Sequence, residues 1–239
     1  MSREDILVKA AKELDIELSK LQVSQFIKYY EILVEWNSFM NLTGITEYNE
    51  VVIKHFIDSL LIVKAFDLSD NKSLIDVGTG AGFPGIPLKI IYPDIKVVLL
   101  DSLNKRIKFL NEVINQLGIT KIETIHGRAE DFGRDKNYRE KFDLCVSRAV
   151  ANLTTLSEYC IPFVKKNGYF IPFKSGKIVD EVEEAKKAVK LLGGELKEVK
   201  PLMLPNTDIE RSFVIIHKKE NTNKIYPRSA GKPSKEPLK

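Results

Sequence analysis

The chain has 239 residues, 44% of them hydrophobic and 29% charged, a balance that suits a globular domain with an appendage, or two small ones, able to bury a sizeable core. No run approaches the roughly 18 apolar residues of a membrane span, and Met1-Ser2-Arg3-Glu4-Asp5 leads into a charged amphipathic segment where a secretion signal would be apolar. The net charge of +4 is uneven: residues 218 to 239 carry seven basic and two acidic residues, so this stretch is +5 and the rest about −1.

Residues 3 to 66 read as helical. Ile6, Leu7, Ala10, Ala11 and Leu14 share one face, as do Phe26, Ile27, Tyr30, Leu33, Val34 and Asn37, and a third stripe runs through Val51, Val52, Phe56, Ser59, Leu60 and Val63. Asn41-Leu42-Thr43-Gly44 separates the second helix from the third. The pattern then changes to short apolar runs at Leu74 to Val77, Val97 to Leu100, Ile122 to Ile125, Leu144 to Val146 and Tyr169 to Phe173. Helical segments near 85–92, 104–117, 152–160 and 178–192 separate most of them, which implies βαβ units and a mostly parallel sheet. Two further strands, near 195–199 and 211–217, are joined only by a loop and are expected to pair antiparallel at the sheet's end. The expected organisation is a helical extension over 1–70, a Rossmann-like α/β domain over 71–218 and a basic tail over 219–239. With Pro227, Pro233 and Pro237, the tail should be extended and irregular.

The strongest local signal is Asp76-Val77-Gly78-Thr79-Gly80-Ala81-Gly82-Phe83-Pro84-Gly85, which follows a strand and opens a helix. Gly80, Gly82 and Gly85 fit the G-x-G-x-x-G of nicotinamide enzymes, whose pyrophosphate sits on a helix N-terminus. Gly78, Gly80 and Gly82, preceded by Asp76, fit the acid-x-G-x-G-x-G of methyltransferases that use S-adenosylmethionine. Asp76 favours the second, because a carboxylate there repels a pyrophosphate but can order the loop or meet a cofactor's ammonium group. Asp101 ends the second strand, where an acid accepts both ribose hydroxyls in either cofactor class. Gly127-Arg128-Ala129-Glu130-Asp131 follows the third strand, where doubly wound proteins contact an adenine, and Ser147-Arg148-Ala149 ends the fourth. Arg148 there suits an RNA phosphate or a cofactor carboxylate.

Some chemistry is missing. No Asn/Asp-Pro-Pro-Tyr/Phe follows the fourth strand and no Pro-Cys nucleophile occurs. His55, His126 and His217 are scattered and no metal site is expected. His55 and Asp58, at i and i+3, read as a surface polar pair on a helix. Cys145 and Cys160 lie among apolar residues without disulfide or zinc spacing, so a reducing cytoplasm is the expected compartment. The basic tail fits a nucleic-acid partner, through Arg228, Lys232 and Lys235, or a solubilising appendage equally well.

These blocks together carry a resemblance. Trp36-Asn37, Asn41-Leu42-Thr43, His55-x-x-Asp58-Ser59-Leu60, Asp76 to Pro87, Leu100 to Arg106, Gly127 to Glu130, Ser147 to Ala151 and Tyr226-Pro227-Arg228-x-x-Gly231-x-Pro233-x-Lys235-x-Pro237-Leu238 resemble, in order and from end to end, the RsmG family (glucose-inhibited division protein B). The resemblance implies a class I methyltransferase fold and S-adenosylmethionine contacts from Gly78, Phe83, Ala129, Glu130 and Arg148, to which the pattern above adds Gly80 and Asp101. It further implies methylation of a guanine at N7 in 16S ribosomal RNA, in the small-subunit loop near the decoding centre, by an enzyme expected to be a monomer. No catalytic acid or base is expected, because N7 has a lone pair and no proton to lose. The remaining alternatives are a nicotinamide-dependent oxidoreductase and a non-catalytic RNA-binding ribosome assembly protein.

Overall fold

The computed structural model describes residues 1–69, 72–176 and 178–238. Two capping boxes start the chain's first helices: Ser2 with Asp5 opens α1 (Arg3–Lys12), and Ser19 with Gln22 opens α2 (Lys20–Met40). Asn41, left-handed at φ 51°, ends α2. The next helical stretch is irregular: α3 (Tyr48–Val51) runs into a π-helical turn at Val52–Ile57, then α4 (Asp58–Leu60) and a 3₁₀ turn at Leu61–Lys64. The alternating part comprises β1 (Ser73–Val77), α5 (Gly85–Ile91), β2 (Lys96–Asp101), α6 (Asn104–Leu117), β3 (Ile122–His126), the short α7 (Ala129–Phe132), β4 (Phe142–Arg148), α8 (Leu153–Cys160), β5 (Val164–Ser175), α9 (Val179–Leu191), β6 (Gly194–Met203) and β7 (Glu210–Lys218).

The seven strands form one sheet in the order β3-β2-β1-β4-β5-β7-β6. All pairs are parallel except those of β7, which runs antiparallel to both β5 and β6. The mostly parallel sheet with an antiparallel end is the expected one. The apolar runs are continuous because both faces are covered: Leu74, Val97, Leu99, Leu144 and Val146 enter one core, while Ile75, Val77, Val98, Leu100 and Cys145 enter the other. β5 starts five residues before the apolar run that marks it, because Lys165, Lys166 and Asn167 sit exposed on its outer part.

The first face is covered by α1, α2, α5, α6 and the irregular helical stretch, whose apolar side chains form one continuous cluster with the strands. The N-terminal helices therefore share the cover of this face with α5 and α6, and the boundary expected between residues 70 and 71 lies outside the described residues. α2 buries more than its single expected stripe, adding Tyr29 and Ile32, because it packs on α1, α5 and α6. No helix among the described residues is long and apolar enough to cross a membrane.

The C-terminal segment is irregular, as its prolines suggest, with no helix or strand among residues 219–231 and only the short α10 (Lys232–Lys235) after them, but it is anchored over the second face. Cations of the body capture its carbonyls: Arg139 donates to Thr222 O at 2.6 Å and Tyr226 O at 2.7 Å, and Arg134 to Pro227 O at 2.7 Å. Tyr226 and Leu238 pack against the core of that face. Lys218, counted with the tail in the charge balance, is instead buried in β7, where it donates to Ile161 O at 3.0 Å; Lys239 lies outside the described residues. Arg228 forms a two-pronged pair with Glu158, which is 1% exposed, through Nε (2.9 Å) and Nη2 (2.7 Å), and its main-chain N–H adds a third bond at 2.7 Å. Arg228→Ala should therefore strand a buried carboxylate and cost about 3–5 kcal/mol in urea unfolding, while Lys232→Ala, at an exposed position, should stay within about 0.5 kcal/mol. Equal effects of the two would mean that the tail is not anchored as described.

Candidate active site: two clefts meeting at Val150

β1 delivers Asp76 into the interior, fully buried, where its Oδ2 accepts from Thr79 Oγ1 (2.7 Å) and from the Gly85 N–H that opens α5 (2.9 Å). Its Oδ1 has no partner, and burial pushes the carboxyl up to about 6. The glycine turn is also held from the other side. Tyr29 of α2, fully buried, donates to the Ala81 carbonyl and stacks on Phe83 at 5.3 Å. Gly82, at φ +95°, is required by this packing: a Cβ would lie 2.6 Å from Tyr29 Oη and from Ile86 Cδ1. Gly80, at φ +63°, faces open space, so the main chain there is bare to an approaching ligand.

A first cleft of about 180 Å³ opens beside this turn, over the C-terminal ends of β1 and β2, with Gly78, Asp101, Ser102, Ala129, Glu130 and Val150 in its walls. Asp101 is 2% exposed and already binds protein: Oδ2 accepts from Gly80 N (2.9 Å) and Arg106 Nη1 (3.2 Å), and Oδ1 from Leu103 N (2.9 Å). An ionised carboxylate has about four acceptor sites, so room remains for a further hydroxyl. Glu130 similarly accepts from Gly231 N at 2.8 Å, which brings the C-terminal wrap to the rim.

A second cleft, of about 640 Å³, lies across β4. Lys54, Arg148, Lys174 and Arg211 give it a basic lining beside His55, and Val150 is the one residue shared with the first cleft among the described residues. Its floor is Asp58, buried, which holds Arg148 Nη1 at 2.7 Å and Arg211 Nε at 2.5 Å. His55 does not pair with Asp58 as the helix spacing suggests. The π-helical turn redirects it, so that its Nε2 meets Thr43 Oγ1 at 2.8 Å and its ring stacks on Phe83 at 4.7 Å. Burial, reinforced by Arg148, pulls His55 down to about 4. The Arg148 guanidinium also lies over the Phe83 ring, 5.1 Å from its centre.

Of the residues expected at the cofactor, Gly78, Asp101, Ala129 and Glu130 line the first cleft. Gly80 supports Asp101 from behind, Phe83 is buried beneath His55, and Arg148 faces the second cleft. In the tail, Lys232 and Lys235 are exposed, whereas the guanidinium of Arg228 is occupied by Glu158. Tyr29, Lys174 and Arg211 were not foreseen. Arg211 stood in a predicted strand 153 residues from Asp58, and only the charge at the strand's start hinted at a site. No group of three or more His, Cys, Asp or Glu among the described residues is arranged to hold a metal ion.

A sheet of this order with glycine turn and acid at the ends of β1 and β2 defines a class I methyltransferase fold. Solved structures agree: TYW2 of M. jannaschii in complex with AdoMet matches at a TM-score of 0.52 with 18% identity, over 69% of this chain and 76% of that one. TrmN from Thermus thermophilus matches at 0.52 with 13% identity, over 70% and 53%. The model of the family GidB, rRNA small subunit methyltransferase G, matches residues 22–211. The protein of that name from Lachnoclostridium phytofermentans is 56% identical over 97% of this chain and 96% of its own, and that from Alkaliphilus oremlandii is 52% identical over the whole of both. The chain belongs to the rRNA small subunit methyltransferase G family.

The buried Asp76 gives a pH test. Its folded pKa, about 6, lies above the unfolded 3.8, so the proton it takes up stabilises the fold. That contribution is complete below about pH 4 and is lost as pH rises through about 6. Asp76→Asn cannot titrate. Whatever constant offset the amide introduces, the stability difference should swing towards Asn by as much as about 3 kcal/mol between pH 4 and 7.5. A flat difference across that range, in urea unfolding, would mean that Asp76 is ionised as freely in the fold as in the unfolded chain.

Proposed function

We propose that the protein transfers a methyl group from S-adenosylmethionine to N7 of a guanine in 16S ribosomal RNA, in the small-subunit loop near the decoding centre, acting in the cytoplasm as a monomer. The observation that carries this reading is the junction at Val150: a small cleft with two carboxylates in its wall meets a larger, basic one. The names of the family and its relatives support the ribosomal RNA substrate, and a structural neighbour's AdoMet complex supports the cofactor.

The donor set fits S-adenosylmethionine. Asp101 has acceptor capacity left for a ribose hydroxyl, and Glu130 and the main chain around Ala129 border the adenine side. When bound, the cofactor supplies an already activated methyl on a sulfonium. The protein's share is then placement, worth on the order of 7–11 kcal/mol at its best. Arg148 and Arg211, held rigid by Asp58, present the rest of their guanidinium groups to the second cleft for the RNA backbone. Lys232 and Lys235 of α10 add exposed charge. An unpaired loop presents its base without the cost of opening a duplex.

The second cleft contains no free base. Asp58 is taken up by two arginines, and both ring nitrogens of His55 are engaged, Nε2 by Thr43 Oγ1 and Nδ1 by the Lys54 carbonyl, while its lowered pKa, about 4, makes it a weak base. That suits N7, whose lone pair attacks without losing a proton. It suits an exocyclic amine or ribose hydroxyl poorly, since these must shed one.

Two outcomes are expected. Asp101→Ala should weaken S-adenosylmethionine binding at least tenfold, the loss of one charge-assisted hydrogen bond of about 1.5–3 kcal/mol, in calorimetry on protein shown to be folded. Unchanged affinity would remove the ribose site from the first cleft. Single-turnover methyl transfer at saturating RNA should be flat between about pH 7 and 8.5, and His55→Ala should keep its rate within about tenfold. Nucleoside analysis should give a cationic methylated guanosine. A neutral product would sink the N7 assignment, and a hundredfold loss in folded His55→Ala would sink the base-free mechanism.

A further inference from the structure

Phe39, in the last turn of α2, is 66% exposed, and the other large apolar side chains exposed among the described residues are all aliphatic or Met. It is not a frayed end. Its ring packs at 5.5 Å and 43° on Trp36, which packs at 5.7 Å and 60° on Phe109, a fully buried residue of α6. The three rings thus step from the core to solvent, and the outermost is braced in place with most of its surface free. Burying such a ring against a partner recovers a large apolar area at little cost in side-chain entropy.

The surroundings decide the partner. Lys105 donates to the carbonyl of Met40 at 3.2 Å, which puts its ammonium beside the ring's helix end; Lys108 lies one turn further along α6, and Glu35 is the acid one turn back along α2. Asn41 and Asn104 are exposed nearby in the chain. A protein interface of ordinary size takes about 800 Å² from each partner around an apolar centre, and one exposed ring, with Leu103 at the start of α6 as a further exposed apolar side chain, falls far short of that. A nucleobase needs only one flat ring with a cation near its phosphate. The position also fits: the loop after α2 leads in six residues from Phe39 to Ile45, which lines the second cleft. The Cα atoms of Phe39 and Ile45 are therefore no more than about 22 Å apart.

We infer that Phe39, backed by Trp36, is a stacking platform for an unpaired base of the RNA near the target nucleotide, with Lys105 beside it for the backbone. This rests on the ribosomal RNA substrate proposed above. The test uses the full chain with unmethylated small-subunit ribosomal RNA, and in parallel the small-subunit particle. Phe39→Ala should bind the naked RNA roughly 5- to 150-fold more weakly. Its S-adenosylmethionine affinity and melting temperature should be unchanged, and its salt dependence should keep the same slope, because no phosphate contact is lost. Phe39→Trp should restore binding and Phe39→Leu should not. Trp36 is the sole tryptophan, so its fluorescence should change on RNA addition in the wild type. Unchanged RNA affinity in Phe39→Ala, beside a wild type that binds, would overturn the inference and leave the function standing. Weakening on the particle but not on naked RNA would assign the ring to a ribosomal protein and overturn it as well. A wild type that neither binds nor methylates the RNA would overturn the functional reading and this inference with it.

Discussion

A carboxylate sealed in a protein interior must be hydrogen-bonded or lose its charge, and the architecture of this site grows from how Asp76 meets that demand. With one oxygen it joins Thr79 to the first N–H of α5, so the turn between β1 and α5 is pinned at both ends to a single group. The second oxygen has no partner, and the raised pKa follows from this half-satisfied burial. The turn cannot then be held by Asp76 alone. Tyr29 reaches in from α2 to bind the Ala81 carbonyl, and its ring stack with Phe83 and Phe56 carries the support back into the helical layer. The N-terminal helices therefore belong to the site as much as to the core: without α2 the glycine turn would have no second wall.

The same demand recurs at Asp58, Asp101, Glu130 and Glu158, each no more than 5% exposed. Asp58 joins the π-helical turn to the ends of β4 and β7, Asp101 joins the glycine turn to the start of α6, and Glu130 and Glu158 tie the C-terminal wrap to α7 and α8. Such pairs add little net stability over apolar packing, because desolvation offsets most of the attraction. What they supply is geometry. Each fixes the distance between segments far apart in sequence, and three of the four groups border one of the two clefts.

This division explains what could be read in advance. The sheet, its antiparallel end, the glycine turn and Asp101 are local signals: an apolar run of given length, or glycines and an acid at set spacing after a strand. Arg211, Tyr29 and the docking of the tail have no local signature, because their partners lie 153, 52 and 70 residues away in sequence. Arg228 shows the difference most plainly. By composition it is one cation of a basic tail, and only the buried position of Glu158 on α8 makes it an anchor. His55 failed for another reason. The i, i+3 rule that pairs it with Asp58 assumes an α-helix, and the π-helical turn at Val52–Ile57 changes the angle between successive side chains.

Val150 stands where these constraints meet. It is 41% exposed, it lines both clefts, and a Cβ at Gly78 would lie 2.6 Å from its Cγ2, so the absence of a side chain there makes its position possible. The residue before it, Ala149, has φ +57°, a conformation that costs an alanine about 1–2 kcal/mol. The segment does not relax because it is held on both sides: Arg148 by Asp58, and Ala151 by Lys174, whose ammonium donates to its carbonyl at 2.9 Å while pairing with Glu181 at 2.6 Å. Glu181 in turn accepts from Leu153 N at 2.5 Å, at the start of α8. Strain of this kind persists only where surrounding contacts over-determine the backbone. Here those contacts come from α4, β5, α8 and α9, so the wall between the two clefts is set by the whole layer that surrounds it.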